Sequence, residues 1–194
     1  MKKITKKRGL VAFGLLVGSI IGYFYFSKPI DQIPPFKYIE ITGKTHFTNK
    51  NLARGSKKIF IYFSPTCESC GGLIEYFRVN NNKFIDSQIL MVSTRPITSL
   101  QEFMIENNIA EMKNITILHD STRKFVEDFR LGSFIKLPTI FVFDTNNTLI
   151  YKGDETDFIK QFLDYVELEQ GEDRSQFIYQ FTKWCVRSVK CSTI

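Results

Sequence analysis

The stretch IFIYFSPTCESC, Ile59–Cys70, joins a strongly apolar run to two cysteines separated by two residues. From Lys58 to Ser64 most residues are β-branched or aromatic, which is typical of a strand buried on both faces of a largely parallel sheet. Apolar residues then recur at helical spacing, which predicts a helix from Cys67 to about Asn80. The cysteine pair therefore lies where the best candidate for a central strand passes into a helix.

The segments on either side alternate between strand and helix patterns. Upstream, Lys37–Ile41 and Lys44–Phe47 flank Thr42-Gly43, which predicts a short hairpin. Ser99 and Glu102 have the spacing of a capping box, which predicts a helix that begins at Ser99. Further strands are predicted at Gln88–Ser93, Asn114–Leu118, Thr139–Asp144 and Thr148–Tyr151, and further helices at Ser121–Arg130 and Asp157–Val166. This alternation predicts an α/β fold with a central mixed β-sheet flanked by helices.

The net positive charge of the chain is concentrated at its start. The formal net charge is +6, and five of these charges come from one cluster: Lys2, Lys3, Lys6, Lys7 and Arg8. The remaining residues are nearly neutral overall, so the basic composition does not predict nucleic-acid binding. With 43 % hydrophobic and 24 % charged residues, the chain can bury a core but is too polar for a multi-span membrane protein.

An uncharged apolar segment, residues 9–26, follows the basic cluster. As a helix it would be about 27 Å long, close to the roughly 30 Å hydrocarbon core of a bilayer. We therefore predict a transmembrane signal anchor there, with residues 1–8 as a cytoplasmic basic segment. A cleaved signal peptide is the alternative. Residues 27–36 form a Pro-rich linker, and the rest of the chain is expected on the outer side of a membrane, the inner membrane if the source is bacterial.

The last segment, residues 169–194, is predicted to be an amphipathic helical tail, because Phe177, Phe181 and Trp184 share one helix face. It contains Cys185 and Cys191. These cysteines could form a local disulfide, act as a secondary redox site that receives electrons from the first pair, or be incidental.

Chemistry is expected first at Cys67 and Cys70. The first residues of a helix have N–H groups without intrahelical acceptors, and these groups together with the helix dipole stabilise an anion. A thiolate is such an anion, and it is the form that attacks a disulfide. Cys67 is therefore the predicted nucleophile. Cys70 lies one helical turn further on, where it can resolve the mixed disulfide and release the product.

Two other interpretations of the cysteine pair remain open. A structural zinc site needs four ligands, and His46 and His119 are isolated in the sequence, so no metal site is predicted. An inert structural disulfide is the second alternative, although so short a loop contributes little closure entropy.

The predicted elements resemble the thioredoxin fold. The resemblance rests on the strand and helix around Ile59–Cys70, on Leu137-Pro138-Thr139 at the start of a predicted strand some seventy residues later, and on the closing hairpin and helix. With the anchor, the linker, the leading hairpin and a helix near Ser99, the chain is similar to the membrane-anchored thioredoxin-like thiol–disulfide oxidoreductases of the bacterial envelope, the TlpA-type and redoxin group. The resemblance predicts a thioredoxin-like domain at residues 37–168.

The resemblance implies a role for each matching residue. Cys67 is the nucleophile, Cys70 the resolving thiol, and a cis Pro138 with Leu137 and Thr139 forms the substrate groove. No bound cofactor is implied beyond the redox-active disulfide. The implied partners are protein thiols and disulfides in the envelope, an upstream redox partner, and the membrane itself through residues 9–26.

The chain also departs from the family pattern. Glu68 and Ser69 stand between the cysteines where a proline is usual, and Ile61 replaces the buried carboxylate of thioredoxins. The Glu68 carboxylate opposes a negative charge on Cys67 and partly cancels the helix dipole. We therefore expect a reductant or shuttle rather than a strong oxidant.

Related proteins of the same fold supply the alternative functions. Peroxiredoxins place a threonine or serine three residues before their reactive cysteine, as Ser64 stands here, but also a proline where this chain has Phe60. A peroxiredoxin-like thiol peroxidase is thus one alternative. Copper-delivering relatives use cysteines three residues apart and a distal histidine, a pattern that this chain lacks. Copper or partner binding without turnover is the non-enzymatic alternative.

Overall fold

The computed structural model describes residues 30–132 and 134–160, together with Gly18. The predicted tail at residues 169–194, with Cys185 and Cys191, lies outside the described residues, and so does the predicted anchor apart from Gly18. None of the helices within the described ranges is long and apolar enough to cross a membrane. The chain divides into two units, Met1–Asp154 and Glu155–Ile194, and the fold given below is that of the first. In the second, residues 155–160 are helical.

The first unit is built on a mixed sheet. Its strands are β1 (Lys37–Glu40), β2 (His46–Thr48), β3 (Lys57–Tyr62), β4 (Ser87–Ser93), β5 (Ile115–His119), β6 (Thr139–Phe143) and β7 (Leu149–Asp154). They are arranged in the order β2-β1-β5-β4-β3-β6-β7. The β3, β4 and β5 strands are parallel, whereas β1, β2, β6 and β7 join the sheet through antiparallel pairs. The predicted mixed sheet and its hairpin of β1 and β2 are confirmed.

Four α-helical segments of the described residues connect these strands: α1 (Glu68–Val79), α2 (Asn81–Phe84), α3 (Ile97–Glu106) and α4 (Phe125–Asp128). The predicted start of α3 at Ser99 is wrong. The helix begins two residues earlier, directly after Pro96, whose φ of −52° and ψ of 144° make it the last non-helical residue. Ser99 and Glu102 therefore lie inside the helix and form no capping box.

The α4 helix is much shorter than the predicted Ser121–Arg130. Arg123 has a φ of 57°, a left-handed conformation that a right-handed helix cannot contain. The buried Asp120 carboxylate accepts a hydrogen bond from the N–H of Phe125 at 2.8 Å and from the Thr122 hydroxyl at 3.1 Å. These contacts fold the preceding residues into a turn, and the helix starts only at Phe125.

The core on one face of the sheet is largely aromatic. Phe125 of α4 stacks on Phe129, which directly follows this helix, with the ring centroids 4.1 Å apart, and Phe129 also contacts Phe60 of β3 at 5.0 Å. The alternating residues Ile59 and Ile61 point to the opposite face and are equally buried. β3 is therefore covered on both faces, as the apolar run predicts.

One acidic residue reaches the edge of this aromatic core. The Tyr38 hydroxyl lies 3.5 Å from the Asp128 carboxylate, at the end of α4. Burial raises the pKa of the Asp128 carboxyl above its usual value, and the neighbouring Lys124 ammonium only partly opposes this effect.

Candidate active site

The two cysteines lie at the start of α1, immediately beyond the carboxyl end of β3. Cys67 is the residue that caps the N-terminus of the helix, with φ −86° and ψ 116°, and its backbone N–H donates to the Ser64 carbonyl at 3.0 Å. Cys67 and Cys70 are not joined by a disulfide in this structure. Cys67 is partly exposed, whereas Cys70 is 0 % exposed. An incoming molecule therefore meets the sulfur of Cys67 first.

The Leu137-Pro138-Thr139 segment lies against this thiol. The Sγ of Cys67 is 3.6 Å from the carbonyl oxygen of Leu137, and the Leu137-Pro138 peptide bond is cis, as the resemblance implies. Thr139 begins β6 and pairs with Tyr62 at the end of β3. Antiparallel pairing of β6 with β3 thus brings together residues that are seventy positions apart in the sequence.

Sequence reasoning missed the position of Arg95 near the cysteine pair, where it contacts Ser64. The Ser64 hydroxyl is buried 3.0 Å from the Thr66 hydroxyl, and Arg95 Nε donates to Ser64 Oγ at 3.3 Å. Arg95 follows β4, which runs parallel to β3, so the loops after both strands meet at the same edge of the sheet. A prediction that β3 and β4 pair in parallel could have placed the Arg95 cation near the loop between β3 and Cys67.

An exposed apolar segment borders the site. We call residues 134–137 the apolar loop, because Phe134 is 99 % exposed and Ile135 and Leu137 are also more exposed than core residues. Its only charged residue, Lys136, donates to the carboxylate of Asp154 at 2.8 Å. Clustered exposed apolar side chains are typical of interaction sites.

The remaining residues that the sequence singled out do not form one group. Glu68 and Ser69 are exposed on the first turn of α1, and Ile61 is fully buried in β3. His119 ends β5, which β4 separates from β3, and its Nδ1 is buried without a partner among the described residues. In the part of the chain that the structure describes, no three histidine, cysteine or carboxylate side chains are grouped so that they could hold a metal ion.

Together, the fold and this site define a thioredoxin-fold protein with a Cys-x-x-Cys pair at the start of the helix that follows the central strand. A family comparison narrows the class further. Residues 29–152 match the AhpC/TSA family, and the chain belongs to that family. No protein among those with curated functions matches the sequence.

Solved structures share the fold at low sequence identity. A thiol peroxidase from Chromobacterium violaceum is 17 % identical with a TM-score of 0.56, covering 74 % of this chain and 90 % of its own. AhpC from Mycobacterium tuberculosis is 17 % identical with a TM-score of 0.55, covering 72 % and 98 % respectively. The thioredoxin domain of a thiol-disulfide oxidoreductase from Bacteroides vulgatus is 16 % identical with a TM-score of 0.55, again covering 72 % and 98 %. At these identities the similarity establishes the thioredoxin-like fold.

Proposed function

We propose that this protein is a thiol–disulfide oxidoreductase that acts on disulfides of other proteins through Cys67 and Cys70. The observation that carries the proposal is the pairing of a partly exposed thiol at a helix N-terminus with a fully buried thiol one turn further along α1. The Leu137 carbonyl, 3.6 Å from Cys67 Sγ, offers an extended partner segment a backbone acceptor beside the reacting sulfur.

The exchange takes place in two balanced steps. The Cys67 thiolate attacks one sulfur of the partner disulfide, forming a mixed disulfide, and the other partner sulfur leaves as a thiolate that takes up a proton. Cys70 then loses its proton and attacks Cys67 Sγ, which releases the second partner thiol. Two electrons have passed to the partner, and the protein holds a Cys67–Cys70 disulfide. No further cofactor is needed.

We further propose that the protein donates or relays electrons from a membrane-tethered position. Glu68 supports the first part of this proposal, because it is exposed in the first turn of α1 and its negative charge opposes a thiolate on the preceding residue. The basic residues 1–8 and the apolar residues 9–26 support tethering, with the redox domain on the extracytoplasmic side.

The test is the reduction potential of the cysteine pair in the full chain, measured by equilibration with glutathione and dithiothreitol buffers. We expect one reversible two-electron couple on the reducing side, which a Cys185→Ser/Cys191→Ser variant retains. Cys70→Ser is expected to accumulate a mixed disulfide with a protein substrate, and Cys67→Ser to form none. Absence of a reversible couple contradicts the proposal.

Peroxide reduction is the second candidate, favoured by a serine hydroxyl three residues before Cys67 and by the cation that contacts this hydroxyl. Ser64 lies three residues before Cys67, and Arg95 Nε holds its hydroxyl at 3.3 Å. In this reaction the Cys67 thiolate takes the terminal oxygen of a hydroperoxide, releasing an alcohol or water. Cys70 then displaces water from the resulting sulfenic acid to form the disulfide.

The two activities can be separated with Arg95→Met. If the protein is a peroxidase, this variant is expected to lose peroxide turnover by a factor of about ten or more while keeping disulfide exchange, because it removes a positioned cation. Peroxide turnover that is the same in the variant and the parent protein contradicts the second candidate.

A further inference from the structure

A cleft lies at the end of β3 opposite to Cys67. It has a volume of about 420 Å³ and is lined by the loop that ends at Gly55, by the turn at Thr145–Asn147 and by Gln32 and Ile33. Ligand pockets in proteins commonly measure about 300 to 1,000 Å³. The cleft is thus large enough for a small molecule or a headgroup, and it is separate from the cysteine site.

Lys58 places a buried cation in the wall of this cleft. The residue is 2 % exposed, and within the described residues its ammonium makes no hydrogen bond or ion pair. Burial lowers the pKa of Lys58, and the nearby Asp144 carboxylate opposes this effect. Asp144 is a carboxylate near this ammonium, and a ligand with a negative charge would supply a second counter-charge.

Asn147 contributes a second buried group to the same wall. Its Oδ1 atom is buried without a hydrogen-bond partner among the described residues. The left-handed backbone at this position, with φ 64°, and a hydrogen bond from its N–H to the Asp144 carbonyl at 3.0 Å fix the residue at the turn. The lining of the cleft therefore contains an acceptor without a hydrogen-bond partner as well as the Lys58 side chain.

The residues that line the cleft include three cations and no carboxylate. Lys50 and Arg54 are exposed at the rim, and Lys58 lies at the base. Asp144 stands outside the lining, and its Oδ1 already accepts two backbone N–H groups, from Asn146 at 2.9 Å and Thr148 at 2.8 Å. The local field therefore favours an anion.

Hydrogen bonds hold the wall that carries the rim cations. Gln88 of β4 accepts from the Ala53 N–H at 2.8 Å and donates to the Asn51 carbonyl at 3.3 Å. Asn49 accepts from the Phe36 N–H and donates to the Pro34 carbonyl, both at 2.9 Å. Because the wall is fixed before a ligand arrives, binding costs little ordering entropy.

We propose that this cleft binds a phosphate ester that also carries a hydroxyl group. The phosphate is held by Lys58 with Lys50 and Arg54, and the hydroxyl donates to Asn147 Oδ1. A phosphate oxygen accepts from ammonium and guanidinium groups, whereas only a donor satisfies an amide oxygen. Glycerol phosphate has this combination, either free or as the headgroup of an anionic phospholipid.

The lipid source gains support from the position of the cleft in the chain. Gln32 lies six residues beyond Phe26, the end of the predicted membrane segment. Six extended residues reach at most about 22 Å. A tethered domain would therefore hold this cleft close to the headgroups of its own membrane.

The test is calorimetric titration of the full chain at neutral pH, in an uncharged detergent, with sn-glycerol 1-phosphate and with methyl phosphate. The variant Lys50→Ala/Arg54→Ala is expected to raise the Kd of both ligands about tenfold or more. The control Lys113→Ala/Lys124→Ala loses the same charge outside the cleft and is expected to leave both unchanged. Asn147→Gly keeps the left-handed backbone, and we expect it to weaken binding of glycerol phosphate only.

The two sources are separated by the acetylation rate of Lys50 in the full chain reconstituted into bilayer discs. Protection by phosphatidylglycerol discs but not by phosphatidylcholine discs identifies the lipid headgroup and supports the proposal. Protection in phosphatidylcholine discs only after glycerol phosphate is added identifies a free ester and also supports it. Binding that is unaltered in Lys50→Ala/Arg54→Ala, protection in neither case, or equal protection by polyglutamate overturns the proposal.

Discussion

The apolar loop beside Cys67 provides a prediction about the kind of substrate. Phe134 is 99 % exposed, so replacing it with serine removes almost no contact inside the protein. If the partner is a folded or extended polypeptide, Phe134 is covered when the partner docks. The variant Phe134→Ser should then lose activity toward protein disulfides while the fold and the thiol chemistry remain unchanged.

The size of the loss follows from the exposed area. A buried aromatic side chain removes about 150 to 250 Å² from water, so covering half of Phe134 removes about 80 Å². At about 25 cal/mol per Å² this contributes about 2 kcal/mol, or a factor of about 30 in kcat/KM. Because the serine side chain retains some contact with the partner, we expect kcat/KM to fall by about 10- to 30-fold.

The assay compares kcat/KM for reduction of a protein disulfide, such as those of insulin, with kcat/KM for reduction of bis(2-hydroxyethyl) disulfide. The small disulfide touches only the cysteine site and should react equally with both proteins. Ile85→Ser is the matched control, because Ile85 is 69 % exposed but precedes β4, at the sheet end away from Cys67. It should leave both rates unchanged.

Two results would refute this reasoning. An equal loss on both substrates means that Phe134 supports the cysteine site itself and does not contact a partner. Unchanged activity on the protein disulfide means that partners dock elsewhere.

Three further predictions concern buried and charged groups. Asp120→Ala leaves the buried Phe125 N–H without its 2.8 Å acceptor. Urea unfolding should show a loss of about 2 to 4 kcal/mol, against about 1 kcal/mol for Asp120→Asn, and equal losses would contradict this account. Burial raises the pKa of Asp128 above its ordinary value of 3.8, so the folded protein binds that proton more tightly than the unfolded chain. The resulting stability is present below pH 3.8 and is lost as pH rises through the higher pKa of the folded protein. The midpoint of urea unfolding should therefore fall over this pH range, and Asp128→Asn should make the fall smaller. Parallel pH profiles of the two proteins would contradict this account. Glu68→Gln removes a carboxylate that disfavours the thiolate of Cys67, so the reduction potential of the cysteine pair should rise by about 10 to 20 mV. A lower potential in this variant would contradict the view that the Glu68 charge opposes the thiolate.

Patterns within single segments could be predicted from the sequence because their causes are local. The apolar run from Lys58 to Ser64 specified a strand covered on both faces, which the structure has at Lys57–Tyr62, and Thr42-Gly43 marked the hairpin between β1 and β2. The start of α3 and the length of α4 could not be predicted in this way. The α3 helix begins directly after Pro96, ahead of Ser99, and the left-handed Arg123 shortens α4.

The candidate site was predictable only where its residues are adjacent in sequence or match a known pattern. Cys67 and Cys70 have the spacing of a redox pair, but Arg95 carries no signal of its own. It reaches Ser64 because β4 pairs in parallel with β3 in a particular register. Lys58 was assigned to the central strand, yet its place in the lining of a cleft depends on the turn after β6, which the pairing of β6 with β3 brings to it.

The outermost strand beyond β6 also bears on how the protein behaves at high concentration. An edge strand offers unpaired backbone groups to other molecules, and a charged side chain directed inward discourages such pairing. On β7, Lys152 lies with its Nζ 5.3 Å from the centre of the Phe141 ring and donates to the Arg130 carbonyl at 3.3 Å. The register between β6 and β7 is also irregular between Val142 and Phe143. A neighbouring copy that extended the sheet at this edge would have to accommodate a fixed ammonium and a locally bent ribbon, which disfavours fibrillar association.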